Sequence, residues 1–193
     1  MRKSRAEAAV TRERIVEAAS ATFRRQGIAA TGLADLMAGA GLTHGGFYKH
    51  FASKEQVVAE AGARAIEQTS ETIGAAMAQA TAKGDVPLRR AIDTYLTTQH
   101  RDHPETGCAF AALGPELARE GEAVRVAAGT GMERLIEVFG QGASRADAVV
   151  ALSAMVGAMT LARLAPTEAA SAQILDLVRA HLLAHLTSGD DAS

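Results

Sequence analysis

The feature that most constrains this chain is residues 31–51, TGLADLMAGAGLTHGGFYKHF, where two short helical patterns flank a glycine turn. Leu33, Leu36 and Met37 recur three and four apart and mark one buried helical face. Ala40-Gly41-Leu42 ends that helix, because a glycine just past the last turn takes a positive φ at little steric cost. Thr43 is placed to cap a second helix with its hydroxyl, from 44 to about 50. Phe47 and Phe51, four apart, are its only large apolar residues; Gly45, Gly46, Tyr48, Lys49 and His50 are small or polar. A helix so thinly anchored and so rich in donors suits a DNA major groove better than a core, its N-terminal residues at base edges and its C-terminal residues at phosphate. The pattern is a helix-turn-helix.

The charge distribution points the same way. Residues 1–64 hold 10 Lys/Arg against 6 Asp/Glu, net +4, whereas residues 65–193 hold 10 against 16, net −6. A basic head on an acidic body is expected when only the head touches nucleic acid. Aromatics make up 4% of the chain, with no Trp, within a 48% hydrophobic content, which favours packed helices over sheets. The single cysteine, Cys108, excludes an intrachain disulfide and fits a reducing cytosol. No leader-like apolar run precedes residue 15, and the longest uncharged stretch, 148–162, falls short of the ~20 residues a bilayer span needs. The sequence therefore predicts a soluble, cytoplasmic, all-α protein: a three-helix DNA-binding head over 1–52 and a helical body over 53–193, to which the family resemblance given below adds effector binding and dimerisation.

Residues 1–5 form a basic tail, and Ser4 with Glu7 offers a capping box to the first helix. Its core stripe is Ile15, Ala18, Ala19, Thr22 and Phe23, closed by Gly27. Thr31 is expected to cap the second helix, and Ser53 a long one reaching about Lys83, with Glu55 near its N-terminus. Pro87 starts a helix whose stripe, Leu88, Ile92, Tyr95 and Leu96, leads on to His100. After a break at 103–107, residues 108–113 read as helix, which Gly114-Pro115 should end or kink; 116–120 restart it. A helix over 122–139 is weakened by Gly129 and Gly131. Residues 144–165, capped by Ser144 with Asp147, are apolar nearly all round, which requires burial on more than one side. Residues 167–187 carry Ile174, Leu175, Val178, Leu182 and Leu186 on one stripe, and 188–193 form a polar tail. So much apolar helix at the C-terminus predicts a homodimer.

The run GIAATGLADLMAGAGLTHGGFYKHFASKE, residues 27–55, resembles the DNA-binding signature of the tetracycline-repressor (TetR) family of bacterial regulators. Thr31, Ala40-Gly41, Thr43, Gly45, Tyr48, Phe51 and Ser53-Lys54-Glu55 carry the resemblance, which covers about the first third of the chain. Gly46 departs from it, since the family usually has Thr, Ser or Ala there. Two consecutive glycines cost helix propensity, roughly 1 kcal/mol each relative to Ala, and permit close backbone approach to DNA. The resemblance implies that Lys54 and the neighbouring amides touch the DNA backbone. It also implies that helices 144–165 and 167–187 of two subunits form a four-helix interface. A small molecule entering the body would then shift the long helix from Ser53 and change the spacing of the heads. The segment GCAFAALGPELARE, residues 107–120, resembles one found in a subset of the family, some of whose members sense electrophiles or oxidants through a cysteine. Cys108 is thus either a sensor, near a helix N-terminus that can lower a thiol pKa, or a small buried hydrophobe.

Residue by residue, His44 and Gly45 are assigned to base edges, Gly46 to close approach, and Thr43 to capping and phosphate. Tyr48, Lys49 and His50 are assigned mainly to phosphate, with Tyr48 also readable as a ring packed on its neighbour; Thr31 and Lys54 complete the DNA-binding set. Tyr95, Phe110, Met132, Phe139, Met155 and Met159 are of the types that line adaptable apolar pockets, and equally of ordinary core. His100, Asp102, His103 and Cys108 are metal-ligand types within nine residues, but their spacing fits no zinc pattern, so neither metal nor cofactor is expected. His181 and His185, four apart, read as a polar margin beside the dimer seam. No G-x-S-x-G, G-x-G-x-x-G, P-loop or H-E-x-x-H run occurs, which argues against an enzyme. The function read from these residues is a homodimeric repressor released from operator DNA by a small-molecule inducer. A DNA-binder without an effector response is the alternative, and a helical enzyme a more distant one.

Overall fold

The computed structural model describes residues 5–186, and all its regular secondary structure is helical. In chain order the elements are α1 (Arg5–Gln26), α2 (Leu33–Gly39), a 3-10 helix (His44–Lys49), α3 (Lys54–Lys83), α4 (Pro87–Tyr95), α5 (Thr98–Asp102), a 3-10 turn (Pro104–Thr106), α6 (Ala109–Leu117), α7 (Glu122–Phe139), α8 (Arg145–Leu164) and α9 (Glu168–Leu186). The Ser4 cap, the basic segment 1–4, Thr187 and the tail 188–193 lie outside the described residues. The chain divides into two compact units, one running up to Glu67 and including Pro104–Gly131, the other comprising Gln68–His103 and the chain from Met132 onward. The helix-turn-helix segment falls wholly within the first unit.

The main core of that first unit is one cluster that draws on α1, α2, the 3-10 helix, α3, α6 and α7. Ile15, Ala19 and Phe23 of α1 meet Leu36 and Met37 of α2, Phe47, Val57, Val58 and Ala61, together with Leu113 and Leu117 of α6. The α2 exit shows why the turn sequence is needed. Gly41 adopts φ +65, its N–H donates to Ala38 O at 2.9 Å, and the Leu42 N–H reaches back to Met37 O at 2.8 Å. This double bond pattern satisfies the last carbonyls of the helix and requires a left-handed residue between them.

Several local expectations are corrected. The second helix of the pair is a 3-10 helix: Gly46 N–H donates to Thr43 O and His50 N–H to Phe47 O, three residues back. Adjacent glycines weaken the α form, and a short 3-10 stretch needs fewer fixed residues per bond. Thr43 occupies the cap position, but its side chain makes no cap hydrogen bond. Gly32, not Thr31, caps α2, and its N–H is taken by Asp35 Oδ2 at 2.9 Å. The helix from Pro87 stops at Tyr95 rather than continuing to His100, because the Thr97 hydroxyl accepts from the His100 N–H and starts α5. Conversely α6 passes through Pro115 and ends at Leu117. Proline forfeits only its own N–H bond there, and burial of Leu113 and Leu117, four apart on one face, offsets it. Gly131 serves packing: a Cβ there would lie 2.7 Å from Ile66 Cγ2, so α7 approaches α3 more closely than any larger residue permits. Ser53, Pro87 and Ser144 take the helix-start positions expected of them.

In the second unit α9 lies along α8, and α4 packs on both. Ala148, Ala151, Ala158 and Ala162 of α8 are buried, with Met155 and Met159 between them. Small side chains let the neighbouring backbones close in. By length and composition α8 could also cross a membrane, but those six positions, with Leu152, lie in the helical core of this unit. A buried corner is tied by Arg101, whose guanidinium donates to Asp102, to Glu168 at 2.7 Å and to Ser171 Oγ at 2.8 Å. Ser171 Oγ in turn donates to Ala162 O. These bonds, charge-assisted and mutually supporting, hold the Arg101 pKa above its usual range and fix the α8–α9 turn against α5.

Candidate nucleic-acid interface

The 3-10 helix is anchored by one side chain. Phe47 is 0% exposed, stacked at a tilt on Phe51 with ring centroids 5.7 Å apart, while Thr43, His44, Gly45, Tyr48 and Lys49 all face solvent. Tyr48 is 70% exposed, and its ring stands edge-on to Phe47 at 5.2 Å. The ring thus packs on its neighbour while most of the side chain stays exposed. The result is a projecting ridge whose outer surface carries an imidazole, a phenol, an ammonium and open backbone at Gly45, where an added Cβ would meet nothing within 4 Å.

The remaining members of the set are placed differently. Gly46 is half-buried and faces inward, since a Cβ there would come within 3.3 Å of Met37 Cε. Its small size serves the packing of the ridge onto α2, which corrects the assignment to DNA approach. Beside it lies a cavity of about 270 Å³ between Thr11, Met37, Leu42, Gly46 and His50. Thr31 is 1% exposed, its hydroxyl donating to Gly27 O at 2.6 Å and accepting from Gln26 Nε2, so it shapes the α1–α2 loop from inside. Lys54, in the first turn of α3, extends its ammonium to Ile28 O at 2.9 Å, which leaves two further N–H donors on that group. His50 is half-buried at the C-cap of the ridge.

Residues not anticipated from sequence hold this surface in place. Arg12 of α1 forms a bidentate pair with Glu60 of α3 and lies 4.5 Å above the Phe51 ring. Glu116 accepts from the N–H groups of Ile28 and Ala29. Arg24, buried, donates to Ser20 and to Gly107 O at 2.8 Å, and desolvation pulls its pKa below the usual range. Helical spacing carried a signal for Arg12, which falls three and seven residues before Ile15 and Ala19 on the core stripe. No local pattern marks Glu116.

The other candidate residues are dispersed. Tyr95, Phe139, Met155 and Met159 are buried in the core of the second unit, Met132 is exposed, and Phe110 belongs to the first unit, against Ala65, Ile66 and Ala109. Cys108 is 1% exposed at the N-cap of α6, next to the Gly107 carbonyl held by Arg24. His100 packs edge-on to Tyr95 and donates from Nδ1 to Tyr95 O at 2.8 Å, while Asp102 pairs with Arg101. Among the described residues no three potential metal ligands converge. His181 and His185 stack at 4.2 Å on the exposed side of α9.

Residues 15–61 match the family described as bacterial regulatory proteins, tetR family. The chain is similar to the HTH-type transcriptional regulator TtgR of Pseudomonas putida, 43% identical over 58 residues. That match takes in 30% of this chain and 28% of TtgR, so it spans less than a third of the relative's length. Over nearly the whole chain the fold is similar to that of a TetR transcriptional regulator from Chloroflexus aurantiacus, with TM-score 0.73 and 25% identity, covering 92% of this chain and 94% of the other. It is also similar to the reduced form of E. coli NemR, with TM-score 0.73 and 21% identity over 91% and 96% of the two chains, a likeness of fold alone.

Proposed function

The DNA-binding head of this chain belongs to the tetR family of bacterial regulatory proteins, and from that premise we propose a homodimeric repressor that releases its operator when a small molecule enters the helical body. The observation that carries the DNA reading is the exposed ridge. A segment whose one buried side chain is Phe47 turns His44, Gly45, Tyr48 and Lys49 outward, where a major groove can take them. In this reading His44 and Gly45 meet base edges, while Tyr48, Lys49, Thr43 and the N-terminal turn of α3 with Lys54 meet phosphate.

Dimerisation is supported by the apolar surface that α8 and α9 leave uncovered. Val150, Gly157, Leu161 and Leu164 share one face of α8, and Leu177 of α9 is 63% exposed. Exposed apolar side chains of that kind support a subunit contact there. Two copies joined there would offer two ridges to successive major grooves, about 34–36 Å apart. The inducer acts only through preference for the state with misplaced heads; a tenfold preference supplies ~1.4 kcal/mol. Cys108 is a candidate trigger for an electrophile or oxidant inducer, supported by its place at a helix N-terminus beside the carbonyl that Arg24 holds. Its burial means that reagent access requires opening of the fold around α6.

The test is selection of bound duplexes from a random DNA pool, repeated with candidate metabolites and a thiol-alkylating agent. Enrichment of a two-fold symmetric site, lost when one of these is added, is the expected outcome. A pool that stays unenriched removes the DNA reading; enrichment indifferent to every addition removes the inducer.

A further inference from the structure

We propose that Arg12, Glu60 and Gln56 form a clamp that sets the angle at which the ridge is presented, making them positioning residues for sequence readout; this rests on the DNA reading above. Three consecutive residues leave the ridge, and each is gripped by this one network. The His50 carbonyl accepts from Arg12 Nε at 3.3 Å. The Phe51 ring lies 4.5 Å beneath the Arg12 guanidinium. The Ala52 N–H donates to Gln56 Oε1 at 2.9 Å. Internally, Arg12 and Glu60 pair fork to fork, and Gln56 Nε2 donates to Glu60 Oε1 at 3.1 Å.

The ridge needs such a device. It is six residues of 3-10 helix with a glycine pair, one buried side chain and no side-chain cap at its start, so little within it resists rotation about Phe47. The clamp supplies the missing constraint at its exit by tying α1 to α3, whereas the ridge itself packs on α2. A planar guanidinium bonded at both η nitrogens cannot rotate, so its ε N–H has a fixed aim at the His50 carbonyl. That carbonyl is at the C-terminal, electronegative end of the ridge, where a cation is favourable.

The rival account makes Arg12 a plain phosphate contact. The two accounts predict opposite signs for Glu60→Gln. Removing the carboxylate charge frees the Arg12 cation and lowers repulsion of DNA, so a phosphate-contact role predicts tighter binding to every duplex. A positioning role predicts weaker binding to the preferred duplex, roughly tenfold, the scale of one lost base contact, with binding to a scrambled duplex unchanged or stronger. The duplex is the one that the unmodified protein selects from a random pool, measured over a series of salt concentrations. Arg12→Gln should lose the same discrimination without lowering the salt slope by the one unit that a phosphate contact carries. Gln56→Ala, which leaves the ion pair in place, guards against a folding defect and should show a smaller loss of the same kind, with its thermal unfolding midpoint close to that of the unmodified chain. Discrimination retained in Gln56→Ala and Glu60→Gln, tighter binding of the preferred duplex by Glu60→Gln, or a slope lowered by one in Arg12→Gln overturns the clamp while leaving DNA binding intact. If the unmodified protein selects no sequence, the DNA reading and the clamp fall together.

Discussion

The Glu116 carboxylate accepts the backbone N–H of Ile28 at 2.8 Å across 88 residues of sequence, and that of Ala29 at 3.1 Å. On the other side of the same peptide, the Lys54 ammonium takes the Ile28 carbonyl at 2.9 Å. The α1–α2 loop is therefore held from α6 and α3 at once. Gly27, at φ +87, brings the backbone so near that a Cβ would stand 3.0 Å from Glu116 Oε1. Within the first compact unit, the segment that carries Cys108 at its start thus grips the loop ahead of the helix-turn-helix at its end.

Glu116→Ala removes an acceptor from two N–H groups. Stability should fall by about 1–2 kcal/mol, the lower part of the range for unmet backbone donors because the site is only partly buried. Glu116→Gln, which keeps one acceptor oxygen, should fall by less. Urea unfolding of the three proteins checks both; equal midpoints would mean that water replaces the carboxylate without loss.

Lys49→Gln should weaken binding to preferred and scrambled duplexes alike and lower the salt slope by roughly one, because the proposed docking sets this exposed ammonium against phosphate. His44→Ala should instead change which sequence is selected. Exchanged phenotypes would place the ridge in the groove the other way round.

Leu164 is 75% exposed near the end of α8. If α8 and α9 pair between subunits, Leu164→Glu combined with Leu177→Glu buries two carboxylates per chain, and sedimentation should report monomers where the unmodified protein gives dimers. A dimer that survives both substitutions must use another face.

Desolvation holds the His100 imidazole below its ordinary pKa of 6.5, with the Tyr95 carbonyl opposing and Arg163 reinforcing the shift. The unfolded chain therefore takes up this proton at a higher pH than the folded one. Folding stability should fall as pH drops below about 6.5 and level off once the folded form also protonates. His100→Gln should flatten that decline, as read from unfolding midpoints between pH 7.5 and about 5. An unchanged slope would assign the acid sensitivity to other groups.

The sequence alone determined the helix-turn-helix, most helix boundaries, the caps at Ser53 and Ser144 and the start at Pro87. These are set by neighbours within a few residues: periodicity, cap chemistry and the left-handed freedom of Gly41 act locally, so they can be read locally. Tertiary structure decided the rest. It made the second helix of the pair a 3-10 ridge, turned Thr31 and Gly46 inward, carried α6 through Pro115 and buried Cys108. It also brought Arg12 to Glu60, and Glu116 to Ile28. Each of those outcomes depends on a partner dozens of residues away, and the energy of a contact exists only once the chain has brought both sides together.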